Sequence, residues 1–190
     1  LIYVGNMAKN GITTSIKNLL LNLDLEKRNY YINYIPRKVK NNLVQFNDLK
    51  SIVSYIPMQG KMILTLKEEI IFHLYNKKII SASTMAKHLD KAYELELQRL
   101  FGNIKFSHAI QFCGYEASPI IKYSKFKCNN TIYVHNNMVE EIRTRGNQRK
   151  DILQYAYSSY KNVALVTVDM AESVNTFCKS SNKLIANNII

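Results

Sequence analysis

Strand-like apolar runs alternate with helix-like stretches along this chain. The strand-like runs fall near residues 1–5, 29–35, 51–56, 107–112, 131–135, 162–168 and 183–187. Between the first two lies GNMAKNGITTSIKNLLLNL, residues 5–23, where Ile12, Ile16, Leu19, Leu20 and Leu23 recur at the spacing of one helix face. Lys17, Asn18 and Asn22 take the other face, so this is a strand, a loop and an amphipathic helix. The most regular helical pattern runs from Thr84 to Phe101, with Met85, Leu89, Ala92, Tyr93, Leu97 and Leu100 aligned and Gly102 as the stop. PMQGKMILT, residues 57–65, is the expected mobile loop, because Pro57 and Gly60 interrupt the pattern. Alternating elements of this kind predict an α/β fold: a mostly parallel sheet with helices on both faces.

In such a sheet ligands sit beyond the carboxyl ends of the strands, so the residues just after each apolar run carry the chemistry. Asn6 to Thr13 follow the first strand, Cys113-Gly114-Tyr115 the fourth, and His135-Asn136-Asn137 the fifth. All three loops are expected on one rim. A helix start at Gly11, Ile12 and Thr13 offers unpaired N–H groups and partial positive charge to an anionic or hydroxyl-rich ligand. It is not a Walker loop, since five residues separate Gly5 from Gly11 and Ile12 stands where the lysine belongs. A G-x-G-x-x-G is also missing. The plain alternative is that Gly11 turns the chain and Thr13 caps the helix.

His135 ends the run TIYV and precedes the helical stretch Met138 to Arg145, a position from which an imidazole can bond a sugar hydroxyl or a phosphate. Packing at the strand end is the competing role. His73, His88 and His108 lie within helix or strand patterns and are expected to be structural or on the surface. EEIRTRGNQRK, residues 140–150, places Arg143, Arg145, Arg149 and Lys150 behind the His135 loop, and arginine forks suit phosphate. Glu141 and Arg145 are also spaced for an ordinary i, i+4 ion pair. Asp169 is expected to cap a helix, and no carboxylate stands out for acid–base work.

The 190 residues carry 26 Lys and Arg against 14 Asp and Glu, a formal +12 that favours anionic partners. Cys113, Cys128 and Cys178 have no metal-site spacing and cannot all pair, which points to a reducing cytoplasm and to no metal. No apolar run approaches the ~20 residues that cross a bilayer, and no signal peptide is evident. A start on Leu1 and an end on Ile189 and Ile190 suggest a piece of a longer polypeptide.

YVGNMAKNGITTSIKNLL, RLFGNIKFSHAIQFCGYEAS, IYVHNNMVEEIRTRGNQ and YKNVALVTVDMAESV together resemble the N-terminal half of a GT-B glycosyltransferase. More narrowly they resemble the bacterial glycosyl and glycerophosphate transferases of teichoic acid and surface-polysaccharide synthesis. The resemblance covers nearly the whole chain. It implies that residues 1–190 form a Rossmann-like acceptor domain and that a donor-binding half follows outside this chain. It also implies sugar transfer from a nucleotide-activated donor, held mainly by that other half, to a hydroxyl of an anionic cell-wall or lipid-linked acceptor. Peripheral attachment to the inner face of the cell membrane, an anionic surface, would follow, with no cofactor and no nucleic-acid partner. Carried over by position, Asn10, Gly11, Ile12 and Thr13 match the loop lining the cleft near the donor phosphates. Gly114 and Tyr115 match the next loop, and His135, with Asn136 beside it, matches the family's histidine and would be the catalytic residue. Arg143 and Arg145 are no part of that carry-over; as phosphate-suited forks behind the His135 loop they are expected to bind the acceptor if they face the cleft. Gly11 stands alone where many relatives have a glycine pair, and the family's donor-side acidic residue would lie in the other half. Two alternatives stay open: a CDP-glycerol glycerophosphotransferase, and a non-enzymatic basic module for nucleic acid or another polyanion. Against the first, Trp is absent; against the second, no RRM, KH or zinc-finger pattern occurs.

Overall fold

The computed structural model of the chain describes residues 1–5, 7, 10–23, 29–36, 47, 49 and 51–187. Asn6, Ala8 and Lys9 of the first rim loop lie outside the described residues, as do Ile189 and Ile190 at the apolar end of the chain. The strands are β1 (Ile2–Tyr3), β2 (Tyr31–Tyr34), β3 (Ser54–Pro57), β4 (His108–Gln111), β5 (Asn129–Val134), β6 (Asn162–Leu165) and β7 (Lys183–Ile185). They form one sheet in the order β3-β2-β1-β4-β5-β6-β7, and every described pairing is parallel. Each apolar run of the sequence therefore became a strand. The helices are α1 (Gly11–Leu21), α2 (Leu66–Asn76), α3 (Ala82–His88), α4 (Asp90–Phe101), α5 (Ala117–Ser124), α6 (Met138–Arg145), α7 (Lys150–Ser159) and α8 (Met170–Phe177). This is a Rossmann-like α/β fold.

The two-residue period of a strand explains why both faces are covered. Leu1 and Tyr3 pack into a core with Ile120, Ile121, Val134, Val163 and Leu165, while Ile2 and Val4 point the other way, into a core with Ile16, Leu20, Ile32 and Phe112. Ile16 and Leu20, one turn apart on α1, are 1 % and 0 % exposed. Each contributes about 1.5–3 kcal/mol by leaving water, and this anchors the helix whose first turn meets the rim. Pro57 closes β3 on the sheet's outer edge, where a missing N–H costs least.

Two details differ from the sequence pattern. The expected helix from Thr84 to Phe101 is two helices, α3 starting two residues earlier on the Ser81 cap and α4 starting after Leu89. Leu89 (φ −98°, ψ 13°) bends the axis, yet its carbonyl still accepts from Tyr93 N at 2.9 Å. The buried face Met85–Leu89–Ala92–Tyr93 continues through the bend, and side-chain periodicity does not register a change of axis. Asp169 precedes α8 but makes no side-chain cap there. In the segment 57–65, Met58, Met62 and Leu64 pack against the core, and Arg99 of α4 donates to the Gln59 carbonyl at 2.8 Å.

Candidate functional site

Strand order reverses between β1 and β4: the chain winds outward to β2 and β3 on one side and to β5, β6 and β7 on the other. The loops leaving β1 and β4 diverge there, which opens a crevice at the carboxyl ends of the strands. They also touch, because an added Cβ on Gly5 (φ +64°) would lie 3.1 Å from Cys113 Sγ.

The helix entered from β1 is capped by Asn10, whose side chain accepts from Thr13 N at 3.0 Å. Thr13 is thus not the cap but a buried residue of the first turn, 4 % exposed. Gly11 is not a turn glycine either. It is the first helical residue, its φ is ordinary, and an added Cβ would meet nothing within 4 Å. What its missing side chain leaves is room at the helix start.

The loop after β4 does need its glycine. Gly114 sits at φ +68°, and a Cβ there would come within 2.6 Å of the Tyr133 carbonyl oxygen. Gln111, fully buried at the end of β4, braces the loop at both ends: its Oε1 accepts from Gly114 N at 2.7 Å and its Nε2 donates to the Tyr115 carbonyl at 3.1 Å. Tyr115 then receives a hydrogen bond on its hydroxyl from Asn136 Nδ2 at 2.6 Å, joining the β4 and β5 loops.

His135 Nε2 lies 2.7 Å from the Phe112 carbonyl oxygen. A carbonyl can only accept, so Nε2 carries the proton and Nδ1 is the acceptor nitrogen of the neutral ring. The ring stacks on Tyr133 (5.7 Å) and meets Phe112 edge-on (4.7 Å). Burial holds its pKa below the ordinary histidine value, against the opposing pull of the Phe112 hydrogen bond. His135 is therefore a neutral acceptor toward any ligand near pH 7, not a cation for phosphate.

Asn137 caps α6 through Val139 N (3.1 Å) and Glu140 N (3.3 Å), so the third residue of that rim loop is structural. The arginines divide. Arg145 pairs with Glu141 at 3.1 Å, the expected i, i+4 contact, and borders the cleft. Arg143 is bonded to Glu140 at 2.6 Å and does not line the cleft. Arg149 is structural, lying 4.1 Å from the Tyr75 ring centroid and donating to the Tyr75 and Ile80 carbonyls and to Asp151.

The result is a cleft of about 560 Å³ bordered by Asn10, Gly11 and Ile12, by Tyr115, by His135 and Asn136, and by Arg145. Three separate loops predicted to share a rim do share it. A narrower pocket of about 150 Å³ adjoins it, between Gly5, Thr13, Cys113 and Glu116, with Asn10, Ile12 and Tyr115 lining both. Gly114 shapes the loop from beneath without facing either space. Glu116, the residue after Tyr115, was missed at sequence level, although it belongs to the same carboxyl-end loop. Gln111 was missed too, because a buried amide inside a strand run carries no periodic signal.

Another opening of about 560 Å³ lies between α2 and α4, lined by Ile63, Leu64, Leu95, Glu96 and Arg99 among others. Its charged floor is committed: Glu96 (5 % exposed) binds Arg99 at 2.7 Å and the buried Lys122 at 3.2 Å. Among the described residues no group of three His, Cys, Asp or Glu is placed to hold a metal ion. No described helix is long and apolar enough to cross a membrane. No protein-family model matches the chain, and no curated protein is significantly similar to it.

Proposed function

We propose that this chain is the acceptor-binding half of a two-domain glycosyltransferase of the GT-B kind, acting on a hydroxyl of an anionic cell-wall or lipid-linked acceptor at the inner face of the membrane. The observation that carries this is the cleft at the β1/β4 crossover, where the start of α1, the Gly114–Tyr115 loop, His135 with Asn136, and Arg145 converge. The sequence resemblance supports the reaction class, and the convergence supports this cleft as its site.

In this proposal the first turn of α1 and Arg145 hold the anionic part of the ligand, the former through N–H groups and partial positive charge. His135 Nδ1 accepts a proton or hydrogen bond from the acceptor hydroxyl, the Nε2 bond to Phe112 having fixed the tautomer. The nucleotide-activated donor is held mainly by the second half, and stabilisation of its departing diphosphate is the largest protein contribution to the rate. A formal charge of +12 draws the protein to an anionic leaflet, each basic residue near that surface adding about 1 kcal/mol.

The test is transfer of label from nucleotide-activated sugars to a teichoic acid polymer by the full-length protein and by residues 1–190 alone. Transfer by the former and none by the latter is expected; transfer by residues 1–190 alone overturns the two-domain proposal. Transfer of glycerophosphate from CDP-glycerol in place of a sugar would mark the alternative enzyme. Tight, sequence-selective binding to nucleic acid with no transfer would mark the binding module.

A further inference from the structure

Behind the cleft lies a carboxylate that does not border it. Glu141, on α6, is 7 % exposed, yet its two oxygens hold two of the residues that do border the cleft, Arg145 and Asn147. Oε1 pairs with Arg145 Nη1 at 3.1 Å, and Oε2 accepts from Asn147 Nδ2 at 2.9 Å. The local chain is built for this. α6 ends at Gly146 in left-handed backbone (φ 59°, ψ 17°), which glycine adopts without strain, and the turn brings Asn147 back beside Glu141. Gln148 then donates to the Gly114 carbonyl at 3.3 Å and ties that turn to the loop after β4.

An exposed pair such as Arg143 with Glu140 holds neither side chain firmly, because each can exchange its partner for water. Glu141 has no such exchange: a carboxylate shut away from water stays unpaired when it loses its cation, so the pair persists. The Arg145 side chain is nevertheless 67 % exposed and, among the described residues, forms no second ion pair. Its planar fork carries several N–H donors, so one ion pair from behind leaves donors for the cleft. We infer that Glu141 is a positioning residue: without touching the ligand it fixes the Arg145 guanidinium where an anion is met, so that the rotamer freedom of this long side chain is lost on folding and not on binding. This rests on the cleft being the anion site and names the group that prepares it. Asn147 and Gly146 act one step further back, by holding Glu141.

The sign of the effect separates positioning from charge. A carboxylate behind the cleft that acted by charge alone would repel an anion, and its removal would strengthen binding. The experiment is titration of residues 1–190 with poly(glycerol phosphate) followed by NMR, together with nitrogen relaxation of the arginine Nε–H groups. Glu141→Gln weakens binding by about three- to tenfold, which is what ordering one long side chain on binding costs. In the Arg145→Ala background the same substitution changes binding by less than about twofold, because nothing is left to position. In wild type the Arg145 Nε group is more ordered than that of Arg143, and Glu141→Gln abolishes the difference. Binding that Glu141→Gln strengthens or leaves unchanged, or weakens equally in both backgrounds, overturns the inference. If Glu141→Gln does not fold, the wild-type relaxation decides, and an Arg145 as mobile as Arg143 overturns the inference. Failure of wild type to bind the polymer would defeat the cleft as the anion site, and the relaxation comparison would then decide alone whether Glu141 orders Arg145.

Discussion

Two glycines of the rim are predicted to behave in opposite ways when a single methyl is added. Gly114→Ala must hold an L-residue at φ +68°, which costs about 1–2 kcal/mol in the left-handed region. It must also place a Cβ 2.6 Å from the Tyr133 carbonyl oxygen. Backbone cannot rotate away as a side-chain tip can, so relieving that contact costs a further ~1–3 kcal/mol. The total is about 2–5 kcal/mol, a large share of the roughly 5–15 kcal/mol that holds a domain together. Gly11→Ala meets nothing within 4 Å at an ordinary φ, and alanine is the better helix former by up to about 1 kcal/mol. Urea unfolding followed by circular dichroism measures both. With a slope of about 2 kcal/mol/M, Gly114→Ala should lower the midpoint by about 1–2.5 M, while Gly11→Ala should leave it unchanged or raise it. A Gly114→Ala midpoint within about 0.2 M of wild type, or a Gly11→Ala loss exceeding it, would refute the assignment of the backbone requirement to Gly114.

Asn10→Ala should lower stability by about 1 kcal/mol through loss of the α1 cap, and Asn10→Asp should restore it; equal stability of all three would show that the cap contributes nothing. His135, its pKa depressed by burial, contributes stability that is present above its unfolded value near 6.5 and is lost as pH falls through the lower folded value. His135→Gln, which keeps a donor for the Phe112 carbonyl, should lose less stability over that fall than wild type; parallel curves would contradict the buried neutral ring. Arg145→Ala should weaken binding of poly(glycerol phosphate) by about tenfold and lower stability by about 1–3 kcal/mol, because Glu141, 7 % exposed, loses its cation and keeps a hydrogen bond from Asn147 Nδ2 at 2.9 Å. Arg143→Ala, at a residue that is paired with Glu140 and does not line the cleft, should leave binding unaltered, and equal losses in the two variants would return both to the role of general surface charge.

The central strands were legible because burial on both faces makes them near-continuous apolar runs, the edge strands β3 and β7 because their short apolar runs persist although no residue of either is buried, and the rim followed from them by geometry alone. Alternation of Leu1 and Tyr3 with Ile2 and Val4 between two cores is the same fact seen from inside. Where several sequence patterns support one role, the residue that performs it is harder to choose. Asn10, Gly11 and Thr13 all suit a helix start, and only the backbone shows that Asn10 caps while Thr13 is buried. Arg143 and Arg145 are two residues apart on a helix and so face different directions, which separates two residues the charge pattern had joined. Glu116 and its partner Tyr3 are 113 positions apart, and such a pairing becomes visible only once β1 and β4 lie side by side.

The central claim is that ligands enter at the β1/β4 crossover, and amide and side-chain shift mapping of residues 1–190 titrated with poly(glycerol phosphate) tests it most directly. The perturbed residues should cluster at Asn10, Gly11, Ile12, Tyr115, His135, Asn136 and Arg145, and the cluster should disappear in Arg145→Ala. Perturbations concentrated at Ile63, Leu95 and Arg99 between α2 and α4, or spread evenly over the surface lysines, would contradict it.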